Sequence, residues 1–124
     1  MVTRKLITFS IFALVTLSGV LYFLSLENVK TVYIIRASDT TIYNGTEVPS
    51  YSFNPDTIHI KTGTIITWSN RDEITYHTVT SANGLFDSRL LPPEGKFNFK
   101  FDKTGIYKYF CKLHPWMTGE VIVE

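Results

Sequence analysis

Two hydropathy patterns divide the 124-residue chain. From Leu6 to Leu24, LITFSIFALVTLSGVLYFL, an apolar run carries no charged residue. As a helix, its nineteen residues at about 1.5 Å each reach roughly 28 Å, close to the roughly 30 Å of bilayer hydrocarbon. Beyond Leu24 the pattern changes to short stretches in which apolar and polar residues alternate, the period of a half-buried strand. Phe97, Phe99 and Phe101 alternate with Asn98, Lys100 and Asp102, and Tyr107, Tyr109 and Cys111 share one face of the next stretch. Ile58 and Ile60 point inward, so His59 between them points to solvent.

Turn residues separate these stretches. Asn44-Gly45, between Thr41-Ile42-Tyr43 and Thr46-Glu47-Val48, is a two-residue hairpin signal. The same residues form an Asn-Gly-Thr sequon, for which the turn is the preferred reading. Strands are expected over Val32 to Arg36, over Thr57 to Lys61, over Ile65 to Trp68 with burial on both faces, over His77 to Ser81, and over Glu120 to Glu124. The polar segment from Ser69 to Tyr76 reads as a loop. Seven or eight strands in roughly one hundred residues, with no long helical stripe, predict an all-β two-sheet sandwich preceded by one transmembrane helix. The expected divisions are a membrane anchor over 1–26, a linker with N-terminal strands and a hairpin over 27–52, and the sandwich core over 53–124.

Arg4 and Lys5 precede the apolar run and place the N-terminus in the cytoplasm by the positive-inside rule, with the C-terminal part extracytoplasmic. The competing reading is a cleaved signal peptide, with Ser18-Gly19 as the small residues near the cut, and it too implies export. The continuing run through Leu24 and the absence of an Ala-x-Ala site favour the anchor. Apart from Arg4 and Lys5, ten basic residues face eleven acidic ones, a balance that gives no reason to propose nucleic acid as a partner. Cys111 is the only cysteine, so an internal disulfide is impossible, and the residue is a free buried thiol, an intermolecular bridge or a metal ligand.

The stretch FCKLHPWM, Phe110 to Met117, sets Cys111, His114 and Met117 three positions apart at the end of a strand. Each three-residue step spans at most about 10 Å when extended, and turns can fold both steps toward a shared centre. Pro115 biases the shape, because it restricts His114 and donates no backbone hydrogen bond. Thiolate, imidazole and thioether together select copper over hard cations, and two His, one Cys and a long axial Met form the blue-copper electron-transfer set. The second histidine must come from elsewhere. His77 is the candidate, since it follows a polar loop at the start of a strand while His59 points outward.

On these residues the chain resembles the cupredoxins, most closely the amicyanin, pseudoazurin and plastocyanin group. The resemblance runs from Phe53-Asn54-Pro55 and Ile58 through Lys61-Thr62-Gly63, Thr67-Trp68-Ser69-Asn70-Arg71-Asp72 and His77-Thr78-Val79 to Gly105-Ile106-Tyr107-Lys108-Tyr109-Phe110-Cys111 and Lys112-Leu113-His114-Pro115-Trp116-Met117-Thr118-Gly119. It implies a cupredoxin-like Greek-key sandwich holding one mononuclear type 1 copper, with His77, Cys111 and His114 equatorial and Met117 axial. It further implies that Thr78, where amicyanin and plastocyanin carry Asn, lies next to the thiolate, with Asn70 a weaker candidate. Redox proteins are expected to dock near His114, Pro115 and Trp116, with Leu91, Pro92 and Pro93 beside them. Core packing is the alternative for Trp116, and an ordinary proline-stapled loop is the alternative for Leu90 to Pro93. The residues before Phe53 depart from the shortest members and read as an extra hairpin packed on one sheet.

The expected function is a membrane-tethered extracytoplasmic carrier of single electrons, not an enzyme. One alternative is a copper enzyme acting on a small molecule at an open coordination position, for which Asp72 and Glu73 are the acid or base candidates near His77. Against it, Cys111 is flanked by Phe110 and Lys112 rather than by two histidines, unlike multicopper oxidases and two-centre nitrite reductases. Another alternative is a copper delivery or storage module, which would favour an exposed, exchangeable site.

Overall fold

A computed structural model of the chain describes residues 28–124 fully and residues 13–17 and 20–24 by their backbone. The membrane helix expected over 6–24 and the boundary at residue 26 fall outside the fully described residues. The two backbone segments, β1 (Ala13–Leu17) and β2 (Val20–Leu24), pair with each other and join neither of the larger sheets. Among the described residues no helix is long and apolar enough to cross a membrane.

Eight further strands form two four-stranded sheets, within the expected count. They are β3 (Val29–Tyr43), β4 (Thr46–Asn54), β5 (Thr57–Ile60), β6 (Thr64–Asn70), β7 (Thr80–Ser81), β8 (Lys96–Phe101), β9 (Gly105–Phe110) and β10 (Thr118–Val123). One sheet has the order β4-β3-β6-β8 and the other β5-β10-β9-β7, with β3 parallel to β6 and β10 parallel to β5. Asn44 and Gly45 turn the chain with φ of 49° and 78°, the positive pair that a two-residue hairpin of matching twist requires, and Tyr43 pairs with Thr46.

The hairpin is more than an addition to one sheet. Its first strand lies inside the sheet between β4 and β6, and Val32 and Ile34 are fully buried. The pairing shifts register between Arg36 and Thr40, and past that irregularity the strands run on as a largely exposed arm. One hairpin therefore has a core half and an outlying half.

Trp68 is fully buried between the sheets, with the rings of Phe86, Phe97, Phe101 and Tyr109 around it. The alternation expected in β8 and β5 is present, and His59 is exposed beside Glu124. In β6, burial on both faces begins only at Trp68, since Ile65 and Thr67 remain half-buried. The strand expected from His77 to Ser81 shrinks to Thr80–Ser81. His77 instead makes an isolated bridge to Leu91, whose neighbours Pro92 and Pro93 have no N–H to extend a ladder. That bridge buries Leu91 at 6% exposure, which removes it from the exposed patch expected there.

Candidate metal centre

The spacing of Cys111, His114 and Met117 becomes geometry through two consecutive turns. The N–H of His114 donates to the carbonyl of Cys111 at 3.3 Å, and the N–H of Met117 donates to the carbonyl of His114 at 2.8 Å. Pro115 occupies the second position of the latter turn, where its fixed φ suits the bend and no N–H is needed. The N–H of Cys111 then donates to the carbonyl of Met117 at 3.1 Å and closes the loop on itself. Thr118 pairs with Phe110 at the start of β10, so the loop is pinned at both ends by the sheet. Cys111 and Met117 are buried and His114 is half-buried.

His77 arrives on the segment that leads into β7, where Thr80 pairs with Phe110 of the neighbouring β9. It exchanges both backbone hydrogen bonds with Leu91, which fixes where the chain turns in, and its side chain is fully buried. Its Nδ1 lies 3.9 Å from Cys111 Sγ, and His114 Nδ1 lies 3.5 Å from the same sulfur. The three donor atoms all fall within 4.8 Å of one another. The two histidines and the cysteine singled out in the sequence are thus brought together. Met117 is tied into the group through its backbone, with its side chain in the buried core.

His77 and Cys111 have partners that fix their state. The remaining nitrogen of His77, Nε2, faces Asp72 Oδ2 at 3.1 Å, with both groups buried. That contact places the proton on Nε2 and leaves Nδ1 as the lone-pair nitrogen facing the sulfur. Burial pushes the Asp72 carboxyl up, but the hydrogen bonds from Ile74, His77 and Thr75 outweigh it and hold the group below its ordinary value. Burial likewise raises the Cys111 thiol, while hydrogen bonds, among them those from the N–H groups of Thr78, Leu113 and His114, bring the balance below the usual thiol value. For His114, burial lowers the pKa, which favours the neutral ring with a lone pair to offer a metal.

Thr78 lies where the resemblance places it. Its N–H donates to Cys111 Sγ at 3.3 Å, and its Oγ1 accepts from the N–H of Lys112 at 2.8 Å. A threonine hydroxyl therefore links the two ligand segments. The link continues through Thr80 to Asp87, which pairs with the Lys112 ammonium. Asn70 acts one step further out: Nδ2 donates to the carbonyls of Thr75 and Leu91, and Oδ1 accepts from the N–H of Asp72. It shapes the loop that carries Asp72 without touching the donors.

The aromatic contacts made by two tyrosines, Tyr51 and Tyr43, were not legible in the sequence. Tyr51 of β4 lies against His114, ring centroids 4.4 Å apart, and against His77 at 5.0 Å. Tyr43 packs on Trp116, whose ring lies 5.3 Å from His114 and whose Nε1 donates to the Pro49 carbonyl at 3.2 Å. Trp116 is therefore neither core nor open patch but a half-buried bracket between the loop and the hairpin arm. The alternation of Tyr51 with Phe53 is the one local signal that these residues face inward.

Donors bonded at about 2.0–2.3 Å to one centre in a trigonal plane lie roughly 3.5–4 Å apart, which the sulfur-to-nitrogen separations here match. A buried thiolate beside two imidazoles, with a buried thioether in the same loop, suits a soft ion such as copper.

The chain matches the cupredoxin-like domain family over residues 13–123, and it belongs to that family. Members of the family hold one type 1 copper ion, and the donor set described here fits one. Amicyanin of Paracoccus denitrificans is 29% identical over 82 residues, covering 63% of this chain and 63% of that protein, so this chain spans somewhat under two thirds of that relative. The chloroplastic plastocyanin of Tetradesmus obliquus is 31% identical over 102 residues, covering 73% of this chain and 70% of that one. Among solved structures, a purple cupredoxin from Nitrosopumilus maritimus is similar with a TM-score of 0.62 at 31% identity, covering 76% of this chain and 98% of that one.

Proposed function

We propose that the protein is a single-electron carrier built on one copper ion held by His77, Cys111, His114 and Met117. The observation that carries this reading is the largely buried donor set, with sulfur and two imidazole nitrogens within 4.8 Å, His77 backed by Asp72 and Cys111 by the N–H of Thr78. Copper, when bound, supplies one-electron chemistry between Cu(I) and Cu(II). The chain's own residues keep the donors in place: the two loop turns hold Cys111, His114 and Met117, and Asp72 holds the His77 tautomer. Such a frame limits rearrangement and so favours electron transfer. Full burial of Cys111 and His77 disfavours a delivery or storage role, which needs donors open to exchange.

In the same proposal the domain is tethered by residues 6–24 and faces the extracytoplasmic side. Its support is the uncharged Leu6–Leu24 run preceded by Arg4 and Lys5. Redox proteins would dock near His114, Pro115 and Trp116, where His114 is the donor closest to solvent. The test is visible absorption and EPR of the Cu(II)-loaded full chain. An intense thiolate-to-copper band, abolished in Cys111→Ser along with reduction by a protein donor, is expected. A band unchanged by that substitution would overturn the reading.

A further inference from the structure

We propose that Tyr51 shuts small exogenous ligands out of the metal centre. The inference rests on the copper reading above and names a specificity-determining residue for it.

The observation that motivates it is the complete burial of His77. His77 lies outside the strands and is bridged only to Leu91, itself in a connection between strands, where chains are usually wet. Its ring is covered by Tyr51, edge-on at 5.0 Å, and by His114 at 4.9 Å. The same Tyr51 ring lies tilted against His114 at 4.4 Å, so one side chain touches both imidazoles.

Tyr51 is itself held from several directions. Its backbone pairs with Arg36 in the last regular register before the β3–β4 irregularity. The Arg36 guanidinium lies 5.8 Å from its ring centroid. Its hydroxyl reaches 3.5 Å from Thr75 Oγ1, on the loop that precedes His77, so the side chain spans from β4 across to that loop. Next to it, the Trp116 Nε1 bond to Pro49 and the Tyr43 stack clamp the arm to the ligand loop. A small ligand coming from the hairpin side meets the Tyr51 ring before it meets the imidazoles. Tyr51 itself packs against the buried core that contains Cys111 and Met117.

The ring performs this task, and the hydroxyl contributes little, because its one contact is at the limit of hydrogen-bond distance. Tyr51→Phe should therefore behave like the parent chain, whereas Tyr51→Ala should open the site.

The experiment is a titration of the Cu(II)-loaded full chain with azide, followed by visible absorption and EPR, with copper loss to a chelator as a second readout. The parent chain and Tyr51→Phe are expected to bind azide at least about tenfold more weakly than Tyr51→Ala and to lose copper more slowly. Tyr51→Val, which keeps a strand-compatible residue, should show the same opening if the alanine variant does not fold. Equal azide affinity in all folded variants, with the thiolate band intact, overturns the shield and leaves the copper reading standing. Absence of a thiolate-to-copper band in the parent chain overturns both.

Discussion

The two segments that furnish the donors are held in different ways. The loop from Cys111 to Met117 is fixed by its own backbone: two turns and a closing Cys111-to-Met117 bond, all within seven residues. The segment carrying His77 has its backbone tied to Leu91, and its imidazole is oriented by the side chains of Asp72, five residues earlier in the same connection, and of Tyr51, from a separate strand. A contiguous site tolerates change in distant residues so long as its turns survive. A site assembled from side chains fails when any one of them is removed, even if the backbone is unmoved. Changes aimed at the loop's support should thus appear as lost stability, and changes aimed at the His77 segment as lost metal affinity.

The largest effect is expected on the loop's support. An added Cβ at Gly119 would overlap the buried Tyr109 ring, so Gly119→Ala must displace β9 or β10, the strands that pin the loop. A loss of about 3 kcal/mol, the upper part of the overpacking range, is expected in urea unfolding. Alkaline pH acts on the same strand. Burial pushes Tyr109 up to about 12, above its ordinary value of 10. Between those values the folded state holds a proton that the unfolded state has released, so stability is full below pH 10 and falls as pH rises toward 12. The loss is about 2–3 kcal/mol, and Tyr109→Phe should abolish that slope in thermal melts across this range. Among the described residues Tyr109 Oη has no hydrogen-bond partner, so Tyr109→Phe should cost little stability at pH 7.

On the His77 side, Asp72→Asn should lower metal affinity about 10–100-fold while leaving the far-UV spectrum unchanged, measured by competition with a chelator. An equal loss of folding stability would show that Asp72 supports the chain rather than the imidazole. The smallest effect is expected at the bridge between the segments. Lys112 holds the Asp87 carboxyl below its ordinary value, aided by the N–H of Arg89. Its contribution is present above the usual carboxylate pKa and lost as pH falls through the lower folded value. The pair is partly exposed, so Asp87→Asn should cost well under about 1 kcal/mol at neutral pH and flatten the acid limb of the melting profile.

How much of this was legible in the sequence follows from the same contrast. Cys111, His114 and Met117 announce themselves because their relation is local: three rare residue types at turn spacing around a proline. His77 was reached by excluding His59, whose strand alternation is also local. Asn44-Gly45 gave the hairpin turn, but not the place of β3 in the middle of a sheet, because parallel pairing with β6 joins residues thirty-six positions apart, such as Val29 and Ile65. The same distance hides Tyr51, which meets His114 only after β4 has paired with β3. Asp72 was visible as an acid near His77, yet its partnership with Nε2 needed the fold of the 71–76 loop that Asn70 organises. Leu91 shows the converse case: beside two prolines it reads as surface, and only the bridge to His77 buries it.

The position of β10 sets an order in time. All four donors precede this strand in the chain, but the loop that presents three of them is anchored when Thr118 pairs with Phe110, and β10 also joins β5 to β9. During synthesis, Cys111 and His114 are made before the strand that gathers them, and a nascent chain carries a free thiol with no finished site around it. Metal capture in the folded geometry is thus coupled to the docking of β10, which converts four separate side chains into a single binding event.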